Sequence, residues 1–316
     1  MEPIFGMSLN GSAKVVRLFL YTMKPIYSVP LRLPSLLLFL VGFMLTGMAL
    51  GGVLSAVVGS QIYGLTLEQI NAVISNPGPE HTSMLMWLNS ISQLTTFLLP
   101  AVLFWLMFGG QGVMSFRKPA AIFLFVPVLW ILSASPVIDA LSWVNDALIP
   151  AGSWLESVAL PSEERAMQLT HLFLSSHEQL GYVPLVFAIA LIPAVCEEVV
   201  FRGVLQPLLI KGTGNAHVAI LISSVLFSAI HLQLYGFLPR LVLGAGLGYL
   251  AWWSGSLWAP IIAHFMNNAL GIAIYRYTNG SLDAETPVYV QLALLAVFAL
   301  LTYFLMKKKM PQLPVQ

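Results

Sequence analysis

Long uncharged apolar runs alternate with short polar breaks along most of this chain. The first run, 36–58, has no ionisable residue and is long enough to cross a hydrocarbon core of about 30 Å. Further runs at 84–108, 120–141, 181–207, 215–235, 237–253, 257–275 and 288–306 repeat the pattern and predict eight membrane-spanning helices. The polar breaks are informative too. Segment 61–83 carries Glu68, Glu80 and Asn76-Pro77-Gly78-Pro79, and its middle, 65–74, is expected to form a short helix at the surface. Gly109 to Gly112 with Arg117-Lys118-Pro119 marks a loop, and 145–179 is the longest polar connection. Pro127 and Pro136 are expected to kink the third span, and Gln206-Pro207 to bend or end the fourth before Lys211. Gly244, Gly246 and Gly248 give the sixth span a small-residue face that lets another helix approach closely.

Composition agrees with the pattern. Of 316 residues, 58% are hydrophobic and 9% charged, against roughly 25% charged in soluble domains, and mean hydropathy is +0.85. The expected fold is all-α, a polytopic membrane protein of about eight transmembrane helices. A net charge of +1 leaves no basic surplus for a phosphate backbone, which argues against nucleic acid as a partner. The single cysteine, Cys196, excludes an intramolecular disulfide framework and a cysteine-cluster metal site. Residues 1–24 lack a short apolar core followed by a cleavage site, so no removable signal peptide is expected. Eight crossings with an internal N-terminus place Lys14, Arg17, Lys24, Arg32, Arg117, Lys118, Lys211 and Lys307, Lys308, Lys309 on one side. Arg165, Arg240 and Arg276 fall on the other, and the rule that basic residues stay inside makes both termini cytoplasmic.

Against this apolar background Cys196-Glu197-Glu198-Val199-Val200-Phe201-Arg202 stands out. Ionisable groups at membrane depth are costly and usually face a protein interior or a water-filled cavity. Glu198 and Arg202 are i, i+4 neighbours suited to an internal ion pair, while Glu197 points about 100° away, free to meet a reactant. His231 lies in the fifth run, four residues after Phe227, and is expected deep in that helix at the height of Glu197. His264 and Asn268 share one face of the seventh span, with Asn267 as a weaker candidate. His264 is only about nine residues from its nearest turn, so it sits shallower than Glu197 by roughly 10 Å unless the fourth helix continues past the bilayer surface or the tilts differ. One carboxylate, two imidazoles and an amide suffice to activate a water and stabilise an oxyanion. Glu197, His231 and His264 could equally hold a catalytic divalent metal such as zinc. A packing network, an ion path or a histidine–amide cross-link between helices would use the same residue types without catalysis.

Competing motifs fail. His177-Glu178-Gln179-Leu180-Gly181 begins like a zinc-protease helix but has glycine where a second histidine is needed, and no Gly-x-Ser-x-Gly elbow is present. Cys196 has no evident base and reads as a small buried hydrophobe. His81, His171, His177 and His217 are expected to be solvated. Trp252, Trp253 and Trp258 read as interfacial anchors.

Glu197-Glu198-x-x-x-Arg202, Phe227-x-x-x-His231 and His264-x-x-x-Asn268, in that order on successive membrane helices, resemble the CAAX prenyl endopeptidase and bacteriocin-processing (CPBP, or Abi) intramembrane protease family. Gly255 to His264 resembles the family's lead-in to its last motif. The likeness covers about 192–271. It implies a catalytic core at 180–277 preceded by helices one to three (1–179) and followed by a last helix and basic tail (278–316). It further implies an endopeptidase with its active site inside the helix bundle, in the bilayer of a bacterial inner membrane. Glu197 would activate water with His231, His264 and Asn268 would stabilise the oxyanion, and Glu198 and Arg202 would support them. The family has been described as metal-dependent and as glutamate-dependent; an amide as the fourth group favours the metal-free form. The implied substrate is a membrane-associated peptide or protein, prenylated or bacteriocin-like. A non-catalytic scaffold or immunity factor of the same fold is the alternative.

Overall fold

The computed structural model describes residues 31–109, 116–176, 180–278 and 287–307. Lys14, Arg17, Lys24, Lys308, Lys309, His177-Glu178-Gln179, Gly110 to Gly112 and both termini lie outside the described residues. Among those described, the regular structure is entirely helical: α1 (Leu33–Gln61), α2 (Leu67–Ser75), α3 (Pro79–Phe108), α4 (Ile122–Ser133), α5 (Ser135–Ala147), α6 (Trp154–Ser175), α7 (Tyr182–Thr213), α8 (Ala216–Ala229), α9 (Phe237–Ser254), α10 (Trp258–Tyr277) and α11 (Val288–Lys307).

Four of these, α1, α3, α7 and α11, are long and apolar enough to cross a membrane, and α4 with α5, bent by 46°, makes a fifth if the pair is one span. The bend sits at Ala134, just before Pro136, which lacks the N–H that would bond back one turn; Pro127 is carried inside α4 without a break. Helix α8 has 14 residues, too few for a span of ordinary thickness. In α9 and α10 the residues that lower the hydropathy include Arg240, His264, Asn267 and Asn268, and a helix walled in by protein tolerates such groups.

The middle of the molecule is α7. Half of its apolar window is buried inside the protein, against 6% for α11, which makes α11 peripheral. One core joins α7 through Val200, Phe201, Val204 and Leu208 to α1 (Leu36, Leu40), α3 (Phe104, Phe108) and α8 (Phe227). A second gathers α4, α9, α10 and α11 around Trp130, Leu247, Ala263 and Leu305. Apolar side chains gain little by leaving lipid for protein, so association rests on close packing and interhelical hydrogen bonds. The glycines of α9 provide the first. A Cβ at Gly244 would press Phe227 and Ser224 at 3.2 and 3.4 Å, one at Gly248 would meet Gln206 at 2.8 Å, and Gly246, on another face, lies against Trp130.

Three places in α3 and α7 widen into a π turn, where the N–H groups of Leu99, Ile192 and Gln206 reach back five residues to the carbonyls of Leu94, Phe187 and Phe201. Each is followed at once by a proline, Pro100, Pro193 or Pro207. A proline cannot donate, and its ring crowds the carbonyl four residues back; one extra residue in the turn absorbs the misfit without breaking the helix. Pro207 therefore does not end α7 before Lys211, and the helix runs on to Thr213, where Gly214 turns left-handed at φ 67°.

Two polar stretches are more ordered than their composition implies. A reciprocal cap between Thr66 and Gln69 starts α2, within the predicted surface segment, and Ile70 and Val73 are its buried face. The 145–179 connection holds the 22-residue α6, capped by Ser153 and continued through Pro161. Its buried Leu172, with Leu169 and Phe173, packs against Met84, Leu85 and Leu88 of α3, while Arg165 donates to the carbonyl of Ile74.

Candidate active site

Between the π turns of α7, Ile192–Val200 is ordinary α-helix, and it carries the paired carboxylates. Glu198 and Arg202 are 0% exposed, and Arg202 Nη1 donates to Glu198 Oε1 over 2.9 Å. Burying two ions costs several kcal/mol each unless further contacts satisfy them. Arg202 Nη2 donates to the carbonyl of Gly244 at 2.8 Å, and its guanidinium lies 4.6 Å from the centre of the Phe227 ring.

His264 lies between the two carboxylates, 5% exposed. Its Nδ1 donates to Glu198 Oε1 at 2.9 Å, and its Nε2 faces Glu197 Oε2 at 3.9 Å. A carboxylate only accepts, so Nδ1 carries a proton, and Nε2 is the ring nitrogen turned toward Glu197. The depth mismatch expected for His264 is absent because α7 continues past Pro207.

The structure corrects the placement of His231. Helix α8 ends at Ala229, and His231 stands in the turn beyond it, half-buried. Its Nδ1 donates to the carbonyl of Phe227 at 2.8 Å, leaving Nε2 as its free nitrogen. The Phe227 ring stands edge-on to both imidazoles, with centroids 5.3 Å from His231 and 5.8 Å from His264. Immediately after His231 the chain passes through Leu232 at φ 56°, a left-handed conformation that is strained for leucine.

Three side chains hold that turn. Asn145, 3% exposed, donates from Nδ2 to the carbonyl of Leu234 at 2.8 Å and accepts from the N–H of Leu238 at 2.9 Å. Ser162 of α6 donates to the carbonyl of Leu232 at 2.8 Å, and Arg240 donates to the carbonyl of Gln233. On α6, outside the apolar spans, burial raises the Glu163 carboxyl above the ordinary range; Arg240 acts against this and Asp146 adds to it.

Asn268 lies one turn beyond His264, half-buried, and accepts from Asn267 Nδ2 at 3.3 Å. No hydrogen bond joins it to Glu197, His231 or His264 among the described residues. Glu197, Glu198, Arg202 and His264 are in direct contact, His231 meets them through Phe227, and Asn268 stands apart. Cys196 is buried, 1% exposed. Of the histidines expected to be solvated, His217 is exposed but bonded to Tyr249 at 2.8 Å, and His171 rests edge-on against Tyr275.

Among the described residues, no three His, Cys, Asp or Glu side chains converge to hold a metal ion. The donor set Glu197, His231 and His264 does not assemble as a ligand group.

Gln93 was not legible as a site residue. From α3 its Nε2 donates to Glu197 Oε1 at 3.2 Å. One signal pointed to it: Asn89, four residues earlier on the same face, bonds the Ala188 carbonyl of α7 at 3.4 Å, so a pair of carboxamides in an apolar run marks the face of α3 turned to the site.

No solved structure matches this chain. It is similar to the uncharacterized protein YpbD of Bacillus subtilis (strain 168), with 29% identity over 99 residues, which are 30% of this chain and 48% of that protein. The match thus spans about half the length of this curated relative. The family that residues 179–270 match is the type II CAAX prenyl endopeptidase Rce1-like family, and that stretch contains Glu197, Glu198, Arg202, His231, His264 and Asn268.

Proposed function

We propose that this integral membrane protein is an intramembrane endopeptidase that hydrolyses a peptide bond of a membrane-associated or lipidated substrate. The observation that carries this reading is Glu197 Oε2 facing the Nε2 of His264 at 3.9 Å inside the helix bundle, within the segment shared with a peptidase family. In this reading the attacking water lies beside these two groups, within reach of both.

In this reading the spans number eight: α1, α3, α4 with α5, α7, α8 completed by the turn through His231, α9, α10 and α11, with 180–277 as the catalytic core and both termini cytoplasmic. Water attacks the scissile carbonyl carbon, and its proton passes to Glu197, assisted by His231. The oxyanion that forms is met by Asn268 Nδ2 and by the His264 ring. Glu197 then returns the proton to the leaving nitrogen as the C–N bond breaks, giving a carboxylate and an amine. Glu198 and Arg202 keep His264 in place. The test is cleavage of a membrane-anchored peptide by purified protein in liposomes, with Glu197→Gln beside it. Loss of cleavage in the variant supports the reading, and equal cleavage by both overturns it.

A further inference from the structure

Glu197 is held from outside the segment shared with the Rce1-like family. Gln93 Nε2 occupies Glu197 Oε1, which leaves Oε2 toward His264. A donor on one carboxylate oxygen favours the orientation in which the other meets a reactant. The Oε1 of Gln93, on the same carboxamide carbon, is buried and has no hydrogen-bond partner among the described residues. A buried acceptor is ordinarily satisfied, and this one shares its carboxamide with the nitrogen that meets Glu197.

The backbone around Gln93 is unusually determined. Its helix widens into the π turn Leu94–Leu98 at the next residue, and α1 presses on that turn. A Cβ at Gly47 would fall 1.9 Å from the carbonyl oxygen of Thr95, and one at Gly51 2.4 Å from its Oγ1. The contact of α1 with α3 therefore sets where Gln93 stands.

We propose that Gln93 is a positioning residue for hydrolysis. Its Nε2 holds Glu197 so that Oε2 takes one proton of the attacking water, and its Oε1 accepts a hydrogen bond from the O–H that the water keeps. This rests on the peptidase reading and adds α3 to the site as a third wall.

The experiment compares wild type with Gln93→Met, Gln93→Glu, Glu197→Gln and the Gln93→Met/Glu197→Gln double variant in liposomes. One readout is cleavage of a quenched-fluorescent, membrane-anchored peptide. The other is the temperature at which Cys196, the chain's only cysteine and buried, becomes reactive to a thiol dye. Gln93→Met should lower kcat by about tenfold to a hundredfold, the worth of a hydrogen bond to a charged group, with KM within about twofold. Gln93→Glu, which sets a second carboxylate against Glu197, should lower kcat further. The midpoints for Cys196 should be non-additive across the double variant, since the two side chains touch. A kcat for Gln93→Met within about twofold of wild type, or additive midpoints, overturns the proposal. A wild-type protein that cleaves nothing overturns the peptidase reading and the role of Gln93 in turnover with it, while non-additive midpoints would still report the contact.

Discussion

Glu198 Oε1 receives two donors at 2.9 Å, Nη1 of Arg202 and Nδ1 of His264, so one buried oxygen carries both the ion pair and the orientation of an imidazole. Removing Arg202 strands that charge. Arg202→Met should destabilise the protein by about 3–5 kcal/mol, and adding Glu198→Leu should recover part of the loss. The midpoint of Cys196 dye reactivity measures both. A double variant no more stable than Arg202→Met alone would argue against the shared oxygen as the reason.

The roles of the remaining groups separate by size of effect. Glu197→Gln, His231→Ala and His264→Ala are each expected to cut kcat by about 10²–10⁴-fold, as for a lost acid or base. Asn268→Ala should cost about 10²–10³-fold, as for a lost oxyanion donor. Full activity in any of the first three sinks the assignment.

His231 depends on partners that its own helix does not provide. Asn145→Ala leaves the Leu234 carbonyl and the Leu238 N–H without their side-chain partner. It should lower kcat by about tenfold with KM nearly unchanged, in peptide-cleavage kinetics. Ser162→Ala, which releases only the Leu232 carbonyl, should have a smaller effect. An Asn145→Ala protein with wild-type kcat would show that the turn holds itself.

Chelators test the chemistry from another side. Because the donor atoms expected for a metal do not converge, cleavage should persist after EDTA or phenanthroline treatment, with no stoichiometric metal in elemental analysis. Activity lost to a chelator and restored by one equivalent of zinc would reverse this.

Gly47→Leu offers a remote test of the third wall. Its side chain would meet the Thr95 carbonyl and push α1 from α3. Lower kcat with intact folding, as expected for Gln93→Met, is the predicted outcome.

Much of the site could be read from one helix. Glu198 and Arg202 are four residues apart, so helical spacing alone pairs them, and charges in an apolar run attract notice for energetic reasons. Gln93 had no such signal, because it is 104 residues from Glu197 and neutral, and only packing brings the two together. The end of α8 was hidden as well. Ile230, Leu232 and Leu234 continue the apolar pattern past Ala229, whereas the break comes from polar contacts of Asn145, Ser162 and Arg240, far off in sequence or beyond the turn. Helix α6 was obscured by its many polar residues and Pro161, since it buries only Ala159, Leu172 and Leu174. The depth of His264 stayed open in the sequence, where Pro207 could bend or end the fourth helix; a π turn carries that helix onward, one of the two arrangements that spacing allowed.

Those π turns loosen the tie between chain length and the angles within the site. Each contains one residue more than an α-helical turn requires, and the residues of the wider turn together sweep nearly the arc of an ordinary one. Deleting a single residue from Leu94–Leu98 would let α3 close into a regular helix while everything before it keeps nearly its present angle to everything after. Gln93 and Asn89 would still face α7. The surplus residue acts as a slack link: it lengthens the chain without turning the amides of one helix away from another.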